Sequence, residues 1–446
     1  MKNKNLMEIP DHIKKLMDRI KSGGHTVYLV GGCVRDHLLA HLPSDYDIAT
    51  SASPQALVEC LTPEYKVFQV GQHFSTLIVR LDDGHVEVST FRRRIDGVIH
   101  YDGNIESDLE CRDFTINAMA MTLEGEILDP FQGQRDIDNR ILRSVFPHDL
   151  LREDPIRALR AVRFASKYDL DVDGALEDAL YYVSVRKPYV SPERKRDEIF
   201  KMLLLPKPSR AIRMMLKYDL FGWFDFGHLI ERMEGYDQKN PFHDKSLLEH
   251  TLTVVDETPS VIELRLAALF HDVGKPDVQT MDEVAHYYQH EKVSGKYTRQ
   301  ALHSLRCSNK IIEETSRLVE GHMFSPIDIG TKGLKRLLVK VGGYPQMYNL
   351  LKLMKADILG TAFPERVSCM EDLFMLVKDM EENDSVFRIK DLNISGRDLI
   401  DIGVPQGKEI GYWLNCLLEA VVENGLKNEK NQLLDYVQGE KSGKSK

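Results

Sequence analysis

The chain has 446 residues, about three times the roughly 150-residue span of an average domain, so several packed units with ample core are expected. Hydrophobic residues at 42%, charged residues at 29% and a mean hydropathy of −0.32 exclude disorder along most of the length, and no window approaches the roughly 18 uninterrupted apolar residues of a membrane span. The net charge of −10 speaks against a polyanion partner for the surface as a whole.

In chain order, a helix is predicted near His12–Lys21, ending at Gly23-Gly24. A strand over Thr26–Val30 then runs into Gly31-Gly32 and a helix over Val34–Ala40 that carries Arg35 and Asp36 in its first turns. Further strands are predicted at Tyr46–Ala49, Phe74–Leu81 and His85–Phe91, the last with Val86 and Val88 alternating with Glu87 and Ser89. After Leu150 nearly everything reads at helical period, with Pro206–Pro208 and Glu234–Asn240 as linkers and Lys441–Lys446 as a disordered end. The fold class is therefore α+β, an α/β head followed by an all-α remainder. Between Arg186 and Lys217 lie ten basic residues, Arg194, Lys195, Arg196 and Lys201 among them, against three acidic ones, a local exception to the net charge that suits RNA. Six cysteines at scattered spacings without a C-x-x-C, and a start without an apolar signal region, predict a protein of the reducing cytoplasm with no membrane partner.

Two stretches carry chemistry in the head. Asp45 and Asp47 flank Tyr46, and in an extended segment alternate side chains share a face, so the two carboxylates would meet a cation; magnesium suits them because it takes hard oxygen ligands together with substrate phosphates. Upstream, the Gly31-Gly32 turn opens a helix whose exposed N–H groups can receive phosphate. Together, the run LVGGCVRDHLLAHLPSDYDIAT resembles the signature of the class II tRNA nucleotidyltransferase and poly(A) polymerase family, a branch of the polymerase β-like nucleotidyltransferases. The resemblance implies that Asp45 and Asp47 hold the divalent ions that activate an attacking hydroxyl, with Gly31, Gly32 and Arg35 on the nucleotide.

Cys111-Arg112-Asp113-Phe114-Thr115-Ile116-Asn117-Ala118 is similar to the family's RRDFTINA motif, which recognises the ribose; Cys111 stands in place of the first arginine, while Arg112 and Asp113 carry over. Glu153-Asp154-Pro155-Ile156-Arg157, followed by Arg160 and Arg163, reads in two ways. It can be a plain helix start with Asp154 as N-cap and Pro155 at the first helical position. It can also be a ligand-facing ridge, since residues spaced by three converge. An aspartate acceptor beside an arginine donor matches the pairing edges of cytosine and of adenine, whereas uracil and guanine invert the pattern and would leave groups unpaired at roughly 1–3 kcal/mol each. The resemblance implies the same: Asp154 and Arg157 read the base, and Arg160 and Arg163 support the nucleotide.

DPFQGQRD from Asp129 and the stretch Ser191–Glu198 are similar to the family's flexible hinge and template-bracing motifs. The segment between Arg92 and Arg112 is shorter than in members that add a whole CCA end, a shortening found in members that add only CC. Farther on, His250, His271-Asp272, His286, His290, His322 and Asp357 form a scattered set whose imidazoles and carboxylates suit a transition metal for phosphoester hydrolysis. This set resembles the HD-superfamily phosphohydrolase pattern; the site it implies comprises His250, His271, Asp272, His290, His322 and Asp357. The tail motif ISGRDLIDIGVPQGKEIG is similar to the family's tRNA-contacting tail.

The expected organisation is a nucleotidyltransferase head at 1–145, a helical neck at 146–235, a helical HD body at 236–385 and a tRNA-binding tail at 386–446 with a disordered end. The expected activity is template-independent addition of CMP and AMP from CTP and ATP to the tRNA 3′ end with Mg2+. CC-only addition, poly(A) synthesis, an HD-type hydrolase whose head only binds RNA, and a silent RNA-binding protein are the alternatives.

Overall fold

The computed structural model describes residues 9–43, 45–62, 64–70, 76–81, 84–324, 331–383, 389–424 and 426–443. The chain separates into two compact units, Met1–Val190 and Ser191–Lys446, a division that falls inside the stretch 146–235.

The first unit opens with α1 (Asp11–Ser22), whose Ile13, Leu16, Met17 and Ile20 recur at helical spacing and are buried. Its sheet is built from β1 (Val27–Val30), β2 (Asp47–Thr50), β3 (Lys66–Val70), β4 (Thr76–Leu81), β5 (Gly84–Thr90), β8 (Ala120–Met121) and β9 (Ile127–Leu128), in the order β3-β4-β5-β2-β1-β8-β9, while β6 (Arg93–Ile95) and β7 (Val98–His100) form a separate hairpin. β1 pairs antiparallel with β2, setting Val30 opposite Asp47; β2 pairs parallel with β5, setting Asp47 opposite Glu87. The expected strand at Phe74–Leu81 is β4 from Thr76 onward, and residues 74–75 lie outside the described residues. Helices α2 (Gly32–Leu38), α3 (Pro54–Leu61), α4 (Ile105–Glu110) and α5 (Gly133–Asp138) complete the head, with Val30, Ala49, Phe91, Leu109 and Ala118 in one of its cores.

Three helices follow: α6 (Pro147–Glu153), α7 (Arg157–Tyr168) and α8 (Gly174–Arg186). The expectation that Asp154 caps a helix with Pro155 at its first position does not hold. α6 runs to Glu153, the Arg157 N–H bonds to the Asp154 carbonyl at 3.0 Å in a tight turn, and Ile156 occupies the cap position without a side-chain cap. Asp154 therefore sits in a three-residue break between two helices.

The second unit is helical almost throughout. α9 (Pro192–Leu203) is capped by Ser191 with Pro192 at its start, and α10 (Ser209–Lys217) and α11 (Gly227–Glu231) lead on. Next come α12 (Leu247–Glu257), α13 (Ile262–Phe270), α14 (Lys275–Val278), α15 (His290–Ser304), α16 (Asn309–Gly321), α17 (Thr331–Val341), α18 (Tyr344–Gly360) and α19 (Cys369–Asn383). Finally, α20 (Gly396–Asp401), α21 (Lys408–Asn424) and α22 (Lys430–Gly443) close over Leu399, Leu417, Leu433 and Val437. α22 corrects part of the expected disordered end: its helical turns continue to Gly443, because Leu433 and Val437 at i, i+4 bind it to α21, and residues 444–446 lie outside the described residues. No helix among the described residues is long and apolar enough to cross a membrane.

Candidate active site and a buried histidine cluster

The turn after β1 decides where the charged groups of the head can stand. Gly31 has φ +73°, and a Cβ on it would meet the Arg112 guanidinium at 2.6 Å and the Asp47 carboxylate at 3.8 Å. Glycine is required there twice over, by its left-handed backbone and by the arginine that passes across it. Gly32 starts α2 directly after it.

Asp47 is the first residue of β2, and Asp45 lies on the exposed approach to the strand rather than in it. Opposite Asp47 in the parallel pair stands Glu87, a third carboxylate that sequence reasoning placed only on a polar strand face. Asp47, Glu87, Ser89, Arg92, Tyr101 and Arg112 line a cavity of about 270 Å³. Burial pushes the Asp47 carboxyl above its ordinary value; Arg112 opposes that, and Glu87 and Asp45 add to it. Carboxylates gathered this way repel one another and favour a cation between them. The two arginines are clamped by Asp108, buried, which accepts from Arg92 at 2.8 Å and from Arg112 at 3.2 Å. Neither Asp108 nor Arg92 had a sequence signal of its own.

The second motif ties the head to α7. Asp113 is buried and accepts from Arg160 at 2.6 and 2.9 Å and from Asn117 at 3.0 Å. Burial pushes this carboxyl up, but Arg160 and Asn117 outweigh it and hold Asp113 below its ordinary value. Arg35 faces inward too: it pairs with Asp36 at 2.8 Å, donates to Asn117, and lies over the rings of Phe164 and Tyr168. The Tyr168 hydroxyl donates to Asp36 at 2.8 Å. Arg35, Asp36 and Asn117 thus brace α7 against α2.

On α7 the three arginines diverge. Arg160 turns to Asp113, and Arg163 stacks 4.3 Å from the Phe164 ring centre. Arg157 lies half-buried, 3.7 Å from Glu153, with its Nη1 lacking a hydrogen-bond partner among the described residues. Burial pulls Arg157 down from its ordinary value, and the charges of Asp113, Asp154 and Glu153 oppose the shift. Arg157, ion-paired with Glu153 but without a hydrogen bond at Nη1, and the neighbouring Asp154 together offer a donor and an acceptor of the kind a base edge takes. Arg94 of the hairpin reaches Glu153 at 3.0 Å, so the segment noted for its shortness contacts the residue next to that pair.

The basic residues of α9 are partly spent. Lys195 donates to the Trp223 carbonyl at 2.6 Å and Arg196 to the Arg306 carbonyl at 3.0 Å, Lys201 lies 3.3 Å from Glu198, and Arg194 and Lys201 are exposed.

In the second unit, five elements deliver the histidine set to one point. His250 comes from α12, His271-Asp272 follows α13, His290 opens α15, His322 follows α16, and Asp357 comes from α18. All four rings present Nδ1 to a backbone carbonyl: His250 to Gly360 at 3.1 Å, His271 to Ala268 at 2.8 Å, His290 to Tyr287 at 2.7 Å and His322 to Val319 at 2.6 Å. A carbonyl only accepts, so Nδ1 donates to it and the Nε2 of each ring is left facing inward, where it can serve as a metal ligand. The Nε2 atoms meet in couples, His250 with His271 at 3.2 Å and His290 with His322 at 3.3 Å, close enough to share one cation, a metal ion or a proton. Asp272 lies between them, with Oδ2 3.1 Å from His271 and 3.5 Å from His250, and Oδ1 3.0 Å from His290 and 3.6 Å from His322. Asp357 completes the first couple, 3.0 Å from His250. The donors thus fall into two groups sharing Asp272, His250/His271/Asp272 and Asp272/His290/His322. Lys275, unforeseen in the sequence, reaches Asp272 Oδ2 at 2.7 Å, and His286 stands apart, paired with Asp282 at 3.0 Å.

Comparison with known proteins follows the same division. Residues 27–143 match the family model of the poly A polymerase head domain, residues 189–224 the "Probable RNA and SrmB-binding site of polymerase A", and residues 284–437 that of tRNA nucleotidyltransferase domain 2. The chain is 27% identical over 428 residues to the CCA-adding enzyme of Bacillus subtilis, covering 93% of this chain and 94% of that one. It is 38% identical over 197 residues to the CC-adding tRNA nucleotidyltransferase of Halalkalibacterium halodurans, covering 44% and 49%. In fold it is similar to the crystal structure of the Bacillus stearothermophilus CCA-adding enzyme in complex with CTP, with a TM-score of 0.72 at 24% identity over 99% of this chain and 100% of that one.

Proposed function

Because the chain belongs to the class II tRNA nucleotidyltransferase and poly(A) polymerase family, we propose that it adds CMP and AMP from CTP and ATP to the 3′ end of tRNA, choosing each nucleotide without a nucleic-acid template. The family takes a divalent metal, and the donor set fits magnesium: Asp45 and Asp47 offer hard oxygens, with Glu87 in register beside them. Bound there, such an ion supplies charge to the triphosphate and acidifies the RNA hydroxyl. The 3′ oxygen bonds to the α-phosphorus as the bond to pyrophosphate breaks, and the protein's part is to hold both partners in line. Arg112, held by Asp108 across Gly31, faces the phosphates and ribose. Asp113 and Arg160 act on one another and set the pose of α7, from which Arg157 and the adjacent Asp154 read the base. The exposed Arg194 and Lys201 meet the RNA backbone, and the six free cysteines fit a reducing cytoplasm.

The observation that carries this reading is Asp47 facing Glu87 across parallel strands, beside an arginine that only a glycine turn admits. Its test is labelled CTP and then ATP, supplied with magnesium to tRNA trimmed to its discriminator base. The expected product is three nucleotides longer and ends in CCA. A product stopping after two cytidines supports the CC-only reading, which the 38% identity to a CC-adding enzyme favours; adenosine runs mean a poly(A) polymerase, and an unextended tRNA overturns the proposal.

The histidine cluster supports a second reading, a two-metal phosphohydrolase centre in the second unit. Its imidazole-rich donors suit Mn2+, Co2+ or Zn2+, with Asp272 as the shared ligand. Chain dialysed against Mn2+ is expected to retain about two ions per chain by elemental analysis and to gain roughly 2.7 kcal/mol of stability per ion at a hundredfold excess over Kd. Asp272→Ala should lose both ions and His290→Ala only one. Equal metal content in parent and Asp272→Ala would remove this centre.

A further inference from the structure

The outer face of α8 leaves an unusual run of large side chains in solvent. Tyr181 is 42% exposed, Tyr182 41%, Val185 74% and Tyr189 85%. Tyr181 and Val185, like Tyr182 and Arg186, are four residues apart and share a helix face. The Arg186 guanidinium lies 3.4 Å from the Tyr182 ring centre and donates to the Tyr182 carbonyl at 3.0 Å, so it continues the aromatic surface as a flat cation. Lys187, exposed, closes the helix in a left-handed turn that leads to Tyr189. The patch has a fixed relation to the base-reading residues. His148 of α6 meets Tyr182 edge-on at 5.8 Å, and Glu153, beside Asp154, lies five residues farther along α6, about 8 Å at 1.5 Å per residue.

We propose that this face is a stacking platform for the unpaired 3′-terminal nucleotides of the RNA substrate, with rings of Tyr181 and Tyr189 under the bases and Arg186 and Lys187 on the phosphates. It rests on the nucleotidyl-transfer reading and adds to it the seat of the RNA end. Exposed rings interleaved with cations suit a strand that alternates π-faces and negative charge, because every base can stack and every linkage carries an anion. An apolar protein partner fits poorly, since charge is depleted at the centre of protein interfaces.

The test is anisotropy with two fluorescent RNAs, an acceptor-stem minihelix carrying a one- or two-nucleotide 3′ overhang and the same duplex made blunt. Tyr181→Ala with Tyr189→Ala is expected to raise Kd for the two-nucleotide-overhang RNA at least about thirtyfold, the loss of two base stacks, and to change the blunt duplex less than twofold. KM for the overhang RNA should rise with it while KM for CTP does not, and phenylalanine at both positions should restore binding. Arg186→Ala with Lys187→Ala should lower the salt slope by about 1.4, as expected for two single-strand phosphates. The side chains are exposed, so unchanged melting checks folding. Unaltered overhang affinity, or an equal loss on the blunt duplex, overturns the platform. The binding readout needs no turnover, so it stands or falls separately from an assay in which no nucleotide is added.

Discussion

Asp47→Asn is expected to lower CMP incorporation by roughly a thousandfold, the effect of removing several kcal/mol of charge stabilisation from a metal-assisted transfer. Asparagine keeps the shape of the side chain and removes the charge. In metal-free buffer the variant should melt at or above the parent's temperature. The sign follows from the raised Asp47 carboxyl, set by burial and by the Glu87 and Asp45 charges against Arg112. A carboxyl raised on folding opposes folding once ionised, so at neutral pH its removal relieves the folded state. Glu87→Gln, beside the ligands in register, should cost about 10–100-fold, as supporting groups of a metal site do. Kinetics with labelled CTP and melting in EDTA check both; activity within tenfold of the parent in Asp47→Asn, or a large loss of stability, would remove Asp47 from the metal.

Asp154→Ala with Arg157→Ala should erase the preference of CTP and ATP over UTP and GTP. A mismatched base leaves a buried donor or acceptor unpaired at roughly 1–3 kcal/mol per group, so selectivity in kcat/KM should fall by about 10–100-fold for each group lost. Stability should change little, because the Arg157–Glu153 contact is a long 3.7 Å ion pair without a hydrogen bond, and removing the half-buried guanidinium relieves its desolvation. Measuring kcat/KM for all four triphosphates decides the matter: ratios equal to the parent's would mean that the base is read elsewhere.

What was legible in the chain depended on how local the signal was. Asp45-Tyr46-Asp47 and Gly31-Gly32 announced themselves within a few residues, but the strand begins at Asp47 and leaves Asp45 on its exposed approach, so alternation along a strand does not place the pair. Glu87 stayed hidden because its meaning arises from a parallel pairing between β2 and β5, a register that no local pattern encodes. The three-residue spacing of Arg157, Arg160 and Arg163 gave their ridge but not their partners, since Asp113, which captures Arg160, comes from another motif. The hairpin Arg93–Ile95 and Val98–His100 was missed because strands of three residues have too few positions to show a period. In the second unit the HD dipeptide gave the histidine set, yet the orientation of the rings rests on carbonyls three residues back, Ala268 for His271, Tyr287 for His290 and Val319 for His322, which only the helix ends supply.

The brace from Arg35 and Asp36 to Tyr168 and Asn117 bears on how a pocket could serve first a pyrimidine and then a purine. Phe164 and Tyr168, in the last turns of α7, are held by Arg35 and Asp36 of the glycine helix, so sliding one helix past the other would break these contacts. The accommodation falls to the short joint at Asp154-Pro155-Ile156 and to the Arg94–Glu153 latch beside it, so the order of additions becomes a property of a joint only three residues long.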